Sequence, residues 1–231
     1  MLQHIGVIMD GNRRWARAHK VELYMGHNKG AENFGHVCDW CMGAGVKFLT
    51  VYAFSTENWR RSPKEIEHLF ALLEKYFIEE KARCIEKGVR ARVIGERSRF
   101  EPRILRVIDE IERDTATLDN LHVQIALSYG GRDEIVRAAK KLAADVKGGG
   151  IKIDEITESI FEKYLDTSGV PDIDLVIRTG GAENRRLSNF MPWQTAYSEL
   201  FFSDLLWPEF SREEFDRAVK YYESVKRKLG R

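Results

Sequence analysis

Ile5, Val7, Ile8 and Met9 form an apolar run too short and too continuous for an amphipathic helix, and it stops at Asp10-Gly11-Asn12, which is turn chemistry. The run reads as a buried strand. Helical spacing follows from Arg13 to Lys20 and again from Asn28 to Met42, where Ala31, Phe34, Cys38, Cys41 and Met42 share one face and Gly43 and Gly45 end the pattern. Val46 to Ser55 (VKFLTVYAFS) is β-branched and aromatic and predicts a second strand. Ser62-Pro63-Lys64-Glu65 then predicts a helix start, with proline at its first position and a serine placed to cap. That helix runs to Lys87 and carries Ile66, Leu69, Phe70, Leu73, Tyr76 and Phe77 along one side. So bulky a stripe suits either core packing or the wall of a channel for an extended apolar ligand.

Val89–Gly95 and Leu121–Ser128 predict further strands, with a helix from Pro102 to Thr117 between them. After Tyr129-Gly130-Gly131-Arg132 another helix is expected to turn Ile135, Val136, Ala139, Leu142 and Val146 inward. Gly148-Gly149-Gly150 is a linker signal, but too short to mark a domain boundary. A short helix around Ser159–Leu165, a strand at Asp174–Ile177, the loop RTGGAENRRLSNF, a strand at Glu199–Phe202 and a terminal helix capped by Ser211 and Glu214 complete the pattern. Strands alternate with helices throughout, which predicts a single α/β domain with a mostly parallel central sheet flanked by helices.

Composition narrows the function. A hydrophobic fraction of 43% in 231 residues supplies a full core, and 37 basic against 36 acidic residues give a net charge of +1, so no global argument for nucleic-acid binding exists. No apolar run approaches the roughly 18 residues of a membrane span, and Met1 leads directly into a strand, which places the expected protein in the cytoplasm. Cys38 and Cys41 lie within a helical pattern and are expected to pack there. Neither a phosphate-binding G-x-x-x-x-G-K-[ST] loop nor a G-x-S-x-G elbow occurs.

The informative polar residues cluster at predicted strand ends: Asp10, Asn12 and Arg14; Ser55, Asn58 and Arg61; Arg178, Arg186 and Ser188. In open α/β sheets ligands bind outside the carboxyl ends of strands. Arginine forks match phosphate oxygens in a bidentate way, so three such clusters point to an anionic ligand, a diphosphate above all. Asp10 either caps the following helix or, among these cations, holds a divalent metal that bridges to phosphate, with Glu199 as a second ligand or simply a surface carboxylate. His27, expected just before a helix, either donates to a phosphate or moves a proton as a catalytic residue, or else serves as a cap or a satisfied core histidine.

With these residues in view, the chain resembles the cis-prenyltransferases, the undecaprenyl diphosphate synthases and their relatives. The motifs that carry the resemblance are HIGVIMDGNRRWA, GHNKGAENF, LTVYAFSTENWRRSPKEI, SYGGRDEIV, DLVIRTGG and RLSNFMPWQTAYSELFFSDLLWPEF, and they span nearly the whole chain. The resemblance implies Mg²⁺-dependent condensation of isopentenyl diphosphate onto an allylic diphosphate such as farnesyl diphosphate, with a Z double bond formed and an apolar tunnel for the product. It implies Asp10 as the metal and diphosphate ligand and Glu199 as completing the metal site. Gly11, Asn12, Arg14 and His27 would hold the allylic diphosphate, with Arg13 and Trp15 in the same stretch. Ser55 and Asn58 would assist deprotonation, with Thr56 and Glu57 beside them, while Arg178, Arg186 and Ser188 would bind isopentenyl diphosphate. Trp59, Arg61 and Glu65 match a segment that closes over the substrates. A homodimer and peripheral membrane contact at product release are also implied.

The chain departs from the family pattern in two places. Leu23 stands where the family usually has an arginine four residues before His27, and the loop after Arg178 is longer, through Ala182 to Arg185, which makes Arg185 a candidate replacement. The product expected is a long carrier-lipid precursor, the alternatives being a short-chain synthase with a blocked tunnel and a non-catalytic scaffold subunit.

Overall fold

The apolar runs become six parallel strands in the computed structural model, which describes residues 1–181 and 184–225. They are β1 (His4–Ile8), β2 (Phe48–Ser55), β3 (Val89–Ile94), β4 (Leu121–Tyr129), β5 (Leu175–Arg178) and β6 (Glu199–Phe202), in the order β3-β4-β2-β1-β5-β6. Every neighbouring pair is parallel, the crossovers running through helices except between β5 and β6, which a loop connects. The chain leaves β1 for β2 on one side and reaches β5 on the other, so the crevice beyond the carboxyl ends of β1 and β5 is the topological switch point.

The helices are α1 (Asn12–Ala18), α2 (Leu23–Gly43), α3 (Pro63–Lys87), α4 (Pro102–Thr115), α5 (Gly131–Lys147), α6 (Glu158–Glu162) and α7 (Arg212–Ser224). Strand alternation splits the core in two. Val7, Leu49, Val51, Ile125 and Ile177 face a large cluster completed by α2, α3, α4 and α7, whereas Ile8, Tyr52, Ala126 and Val176 face a smaller one built on Phe190 and Met191. The predicted start of α3 is observed: Ser62 Oγ accepts the Glu65 N–H at 3.3 Å, Pro63 opens the helix and Gly88 closes it in the left-handed region. Cys41 is fully buried in the larger cluster, with Cys38 and Cys84 packed against it. Among the described residues no helix is long and apolar enough to cross a membrane.

Two expectations are corrected. Helix α2 begins at Leu23 rather than Asn28, so His27 lies inside it, not before it. Glycines disfavour helix locally, but here they let α2 press onto its neighbour: a Cβ at Gly30 would stand 2.6 Å from Asn12 Oδ1. Helix α5 presents Gly131, Glu134, Ala138 and Leu142 to the interior, leaving Val136 51% exposed. Glu134 turns inward because its partners are there. It accepts from Tyr129 Oη at 2.6 Å, Gln194 Nε2 at 3.1 Å and the Asp166 N–H at 2.9 Å, and burial raises its pKa.

Candidate active site

Asp10 follows β1 directly, and Arg178 is the last residue of β5, paired in register with Ile8. That register sets the two side by side. Arg178 Nη2 donates to Asp10 Oδ2 at 3.0 Å and Nη1 to Ser188 Oγ at 2.7 Å; Nη1 also reaches the Arg186 carbonyl. Arg14, one turn into α1, donates to the other carboxylate oxygen, Asp10 Oδ1, at 3.1 Å. Thr179 locks the backbone, accepting the Asp10 N–H at 3.0 Å and donating to the Asp10 carbonyl at 2.8 Å. Gly180, at φ 108°, is required here because a Cβ would fall 2.9 Å from Asp10 Cγ.

At the end of β2 the chain turns into a short 3₁₀ segment, Thr56–Arg60, in which Ser55 and Asn58 cap each other; Asn58 Oδ1 accepts the Ser55 N–H at 3.1 Å. Arg61 follows and donates to Glu65 Oε1 at 3.2 Å. The same carboxylate oxygen lies 3.8 Å from Arg13 Nε and 4.0 Å from His27 Nε2, so Glu65 of α3 gathers residues from α1, α2 and the turn that precedes α3. Burial first, and then the nearby Arg61 cation, lower the His27 pKa to about 4. At neutral pH the ring is therefore uncharged. The Asn12 amide makes a long contact of 3.4 Å with its Nδ1.

These elements enclose a polar cavity of about 660 Å³ lined by Asp10, Gly11, Asn12, Arg13, Arg14, His27, Ser55, Glu57, Asn58, Arg61, Arg178 and Ser188. Asn12 Oδ1, Arg13 Nε, His27 Nε2 and Arg178 Nε are buried without hydrogen-bond partners among the described residues. Since buried polar groups are normally satisfied, four such atoms around one cavity mark a place for a polar ligand. Donors and cations dominate, so the ligand is an anion. The cavity adjoins an apolar chamber of about 120 Å³ between α2, α3 and the sheet, lined by Ala31, Phe34, Leu69, Leu73, Tyr76 and Phe77 among others. The stripe on α3 is thus both core and chamber wall.

Several expected residues stand elsewhere. Trp15 stacks on His19 with centroids 4.3 Å apart and does not line the cavity. Thr56 donates to Glu57 Oε2 at 3.1 Å. Trp59 lies beneath the turn in an aromatic group with Phe54, Phe70 and Phe100, its Nε1 donating to Ser128 Oγ at 2.9 Å. Arg186 is exposed and offers its backbone carbonyl rather than its guanidinium, and Arg185 is exposed as well. The largest correction concerns Glu199. It opens β6 in register with Leu175 and, through β5, with Ile5, so it sits at the amino end of the sheet, about 15 Å short of Asp10 along the strand direction. One chain does not bring the two carboxylates to one ion. Of the longer loop, Ala182 and Glu183 lie outside the described residues.

Residues not anticipated also line the cavity: Arg17, which continues the Arg13 and Arg14 face one turn on, and Tyr52 and Ala53. Tyr52 Oη donates to the Tyr129 carbonyl at 3.1 Å and approaches that of Ser188 at 3.5 Å, tying the Ser188 loop to the sheet. Spacing alone could have found Arg17; the others depend on the register of β2.

A parallel sheet with an arginine-rich anion site at its switch point, beside an apolar chamber, is the layout of an enzyme that acts on an anion with an apolar part. The sequence comparisons make the class specific. Residues 8–230 match the family described as putative undecaprenyl diphosphate synthase, and the chain belongs to that family, the cis-prenyl chain-elongating transferases. It is 42% identical over 229 residues to an isoprenyl transferase of Aquifex aeolicus, covering 99% of this chain and 96% of that one. It is 44% identical over 231 residues to the tritrans,polycis-undecaprenyl-diphosphate synthase (geranylgeranyl-diphosphate specific) of Thermoplasma volcanium, covering 99% and 89%. Among solved structures, lavandulyl diphosphate synthase from Lavandula x intermedia in complex with dimethylallyl diphosphate superposes with a TM-score of 0.95 at 32% identity, covering 99% of this chain and 98% of that one. A probable undecaprenyl diphosphate synthase from Campylobacter jejuni gives 0.82 at 35% identity, covering 100% and 99%.

Proposed function

We propose that the protein extends an allylic diphosphate with isopentenyl diphosphate in a Mg²⁺-dependent reaction, the diphosphates lying in the polar cavity and the growing tail in the apolar chamber. The observation that carries this reading is the Asp10 carboxylate held between Arg14 and Arg178 beside four unpartnered buried polar atoms. Asn12, Arg13, Arg14 and a neutral His27 bind the allylic diphosphate; Arg178 and Ser188, with the backbone at Arg186, bind isopentenyl diphosphate. As the allylic carbon–oxygen bond breaks, charge accumulates on the departing diphosphate, and cations fixed in advance stabilise it without reorganising. A carbon–carbon bond forms to the isopentenyl double bond, and a proton passes to the departed diphosphate, with Ser55 and Asn58 assisting, so that a double bond is restored. Glu57 lines the same cavity, and Arg61 and Glu65 hold its roof on α1 and α2.

Among the described residues no three His, Cys, Asp or Glu side chains converge on a metal position. This suits Mg²⁺, which is commonly bound through one or two carboxylates and completed by substrate phosphates. Asp10 would hold it, and the ion would add charge to the stabilisation of the leaving diphosphate. Glu199, at the far end of β6, joins such a site only from a second copy of the chain. The edge position of β6 and the exposed Tyr197 and Leu200 beside it support a homodimer. The Thermoplasma relative is named for geranylgeranyl diphosphate, so that starter and farnesyl diphosphate are the two to compare, and the Z-polyprenyl product is of carrier-lipid length.

The test is incorporation of labelled isopentenyl diphosphate by the purified protein with each starter. Mg²⁺-dependent incorporation that a chelator abolishes is expected. No incorporation with either starter, under conditions where a relative works, would favour a scaffold subunit; a short product would favour the blocked-tunnel reading.

A further inference from the structure

Helix α5 has no side-chain cap of its own, because Gly130 stands at its N-cap. The first N–H groups of a helix need acceptors. Asn189, from the loop after β5, supplies them from across the site: its carbonyl accepts the Gly131 N–H at 2.8 Å and its Oδ1 accepts the Arg132 N–H at 2.9 Å. The approach is too close for a side chain at either glycine. A Cβ at Gly131 would stand 1.9 Å from Pro192 Cδ, and one at Gly130 would stand 2.8 Å from Asn189 Nδ2 and 2.7 Å from Thr56 Oγ1. Gly130-Gly131 thus makes room for two loops that meet over the start of α5, one carrying Ser188 and Asn189, the other following β2.

The other end of the same amide faces that second loop. Asn189 Nδ2 donates to Glu57 Oε1 at 3.3 Å, and Glu57 belongs to the 3₁₀ segment Thr56–Arg60, beside the mutually capped Ser55 and Asn58. The residue before Asn189 in the chain, Ser188, accepts from Arg178 Nη1 at 2.7 Å. The backbone of this loop is unusual: φ is 49° at Ser188, 65° at Asn189 and 49° at Met191, none of them glycine. Such conformations persist where the surroundings over-determine them, as the contacts of Asn189 do. The position asks for three properties at once: a left-handed backbone, an acceptor toward an N–H and a donor toward a carboxylate. Asparagine meets all three, whereas aspartate meets only the first two.

We infer that Asn189 is a positioning residue for the isopentenyl diphosphate side of the site, an inference that rests on the proposed condensation. It fixes the Ser188 loop against α5 and joins it to the Glu57 turn. The groups that grip isopentenyl diphosphate and the Ser55–Asn58 pair are thereby held in one frame, although they follow different strands. Glu57 is exposed, so its bond to Asn189 adds little to stability and acts on geometry. The two halves of the side chain have separate tasks: Oδ1 serves the start of α5, and Nδ2 serves the site.

Titration calorimetry on the intact protein, saturated with an unreactive allylic thiolodiphosphate and Mg²⁺, reads the Kd of isopentenyl diphosphate. Asn189→Asp keeps the acceptor for the Arg132 N–H but turns a second oxygen toward Glu57, so that Kd should rise about tenfold, with the melting temperature and the affinity for the allylic analogue unchanged. Adding Glu57→Gln to Asn189→Asp lets the bond re-form with donor and acceptor exchanged and restores the charge of the pair. The effect of Glu57→Gln on Kd should therefore be about tenfold more favourable in the Asn189→Asp background than in the wild-type background. Equal factors in the two backgrounds overturn the inference, as does a wild-type Kd for Asn189→Asp or a loss of analogue affinity in step with it. A fall in melting temperature shared by Asn189→Asp and the double variant, with affinity lost in both, would make Asn189 a cap of α5 and nothing more. Wild-type protein that binds no isopentenyl diphosphate removes the proposed condensation together with this inference, whereas equal factors in a protein that does bind it remove the inference alone.

Discussion

On the face of the sheet covered by α2 and α3, packing stops short of filling the space and leaves an apolar chamber of about 120 Å³; the opposite face is filled by Phe190 and Met191 and by a polar group centred on buried Glu134. On the first face buried Asn33 of α2 donates to the Trp207 and Phe210 carbonyls, and the chamber itself is lined by apolar side chains in the main. On the second, Glu134 joins Tyr129, Gln194 and Asp166, and Asp166 is held in turn by both terminal nitrogens of Arg137, at 2.8 and 2.6 Å. Close-packed interiors normally tolerate few voids, so an apolar gap kept on one face is a place for a ligand. A satisfied buried network rigidifies what it touches. Through Tyr129 and Tyr52 that rigidity reaches the Ser188 loop. Under the proposed function one face receives the tail, and the other steadies the Ser188 loop that grips the head group.

The largest effect should come where the two functions meet. Arg178→Ala removes the contact to Asp10 and the grip on Ser188 together, and kcat should fall by about a hundredfold to a thousandfold with little change in melting temperature. Steady-state kinetics with thermal unfolding checks this; near-wild-type turnover would separate the Ser188 loop from catalysis. On the filled face, Glu134→Leu leaves the Tyr129 hydroxyl and the Asp166 N–H without their partner, which should cost about 2–3 kcal/mol in urea unfolding. A neutral result would mean the network adds no rigidity.

Leu23→Arg places a guanidinium one turn from His27 at the rim of the open face, and should lower KM for the allylic starter about fivefold, equivalent to about 1 kcal/mol. An unchanged or higher KM counts against a role for that position in head-group binding. The smallest effect concerns pH. Burial lowers the His4 pKa from 6.5 to about 4, so as pH falls through 6.5 the unfolded chain takes up a proton that the folded chain refuses. Stability is therefore lost between pH 6.5 and 4, with His27 adding to the same slope. His4→Gln should make the acid-side loss shallower in urea titrations; an identical slope would remove His4 from the account.

Much of this was legible because strands and strand ends are local signals. The runs at Ile5–Met9 and Val46–Ser55 and the Ser62-Pro63 start of α3 become what their patterns predict, and Arg14 and Arg178 meet Asp10 at the strand ends. What escaped was set by contacts distant in sequence. The start of α2 depends on glycines pressed against Asn12, and the inward turn of Glu134 depends on Gln194 and Asp166. Arg186 carries a phosphate-binding signature in sequence, yet its carbonyl is what Arg178 reaches. Glu199 shows a different limit: the predicted strand Glu199–Phe202 already begins with it, which in a parallel sheet is the amino end, and its register with Leu175 agrees, yet the resemblance assigned it to the metal site at the carboxyl end.

The account turns on Asp10 as the residue that acts on the departing diphosphate rather than merely on the fold. Single-turnover condensation by Asp10→Ala, measured beside equilibrium binding of an unreactive allylic thiolodiphosphate, tests this most directly. The predicted result is a folded protein that still binds the analogue through Asn12, Arg13 and His27 but loses the condensation step by about a thousandfold or more. Condensation at the wild-type rate by that variant would contradict it.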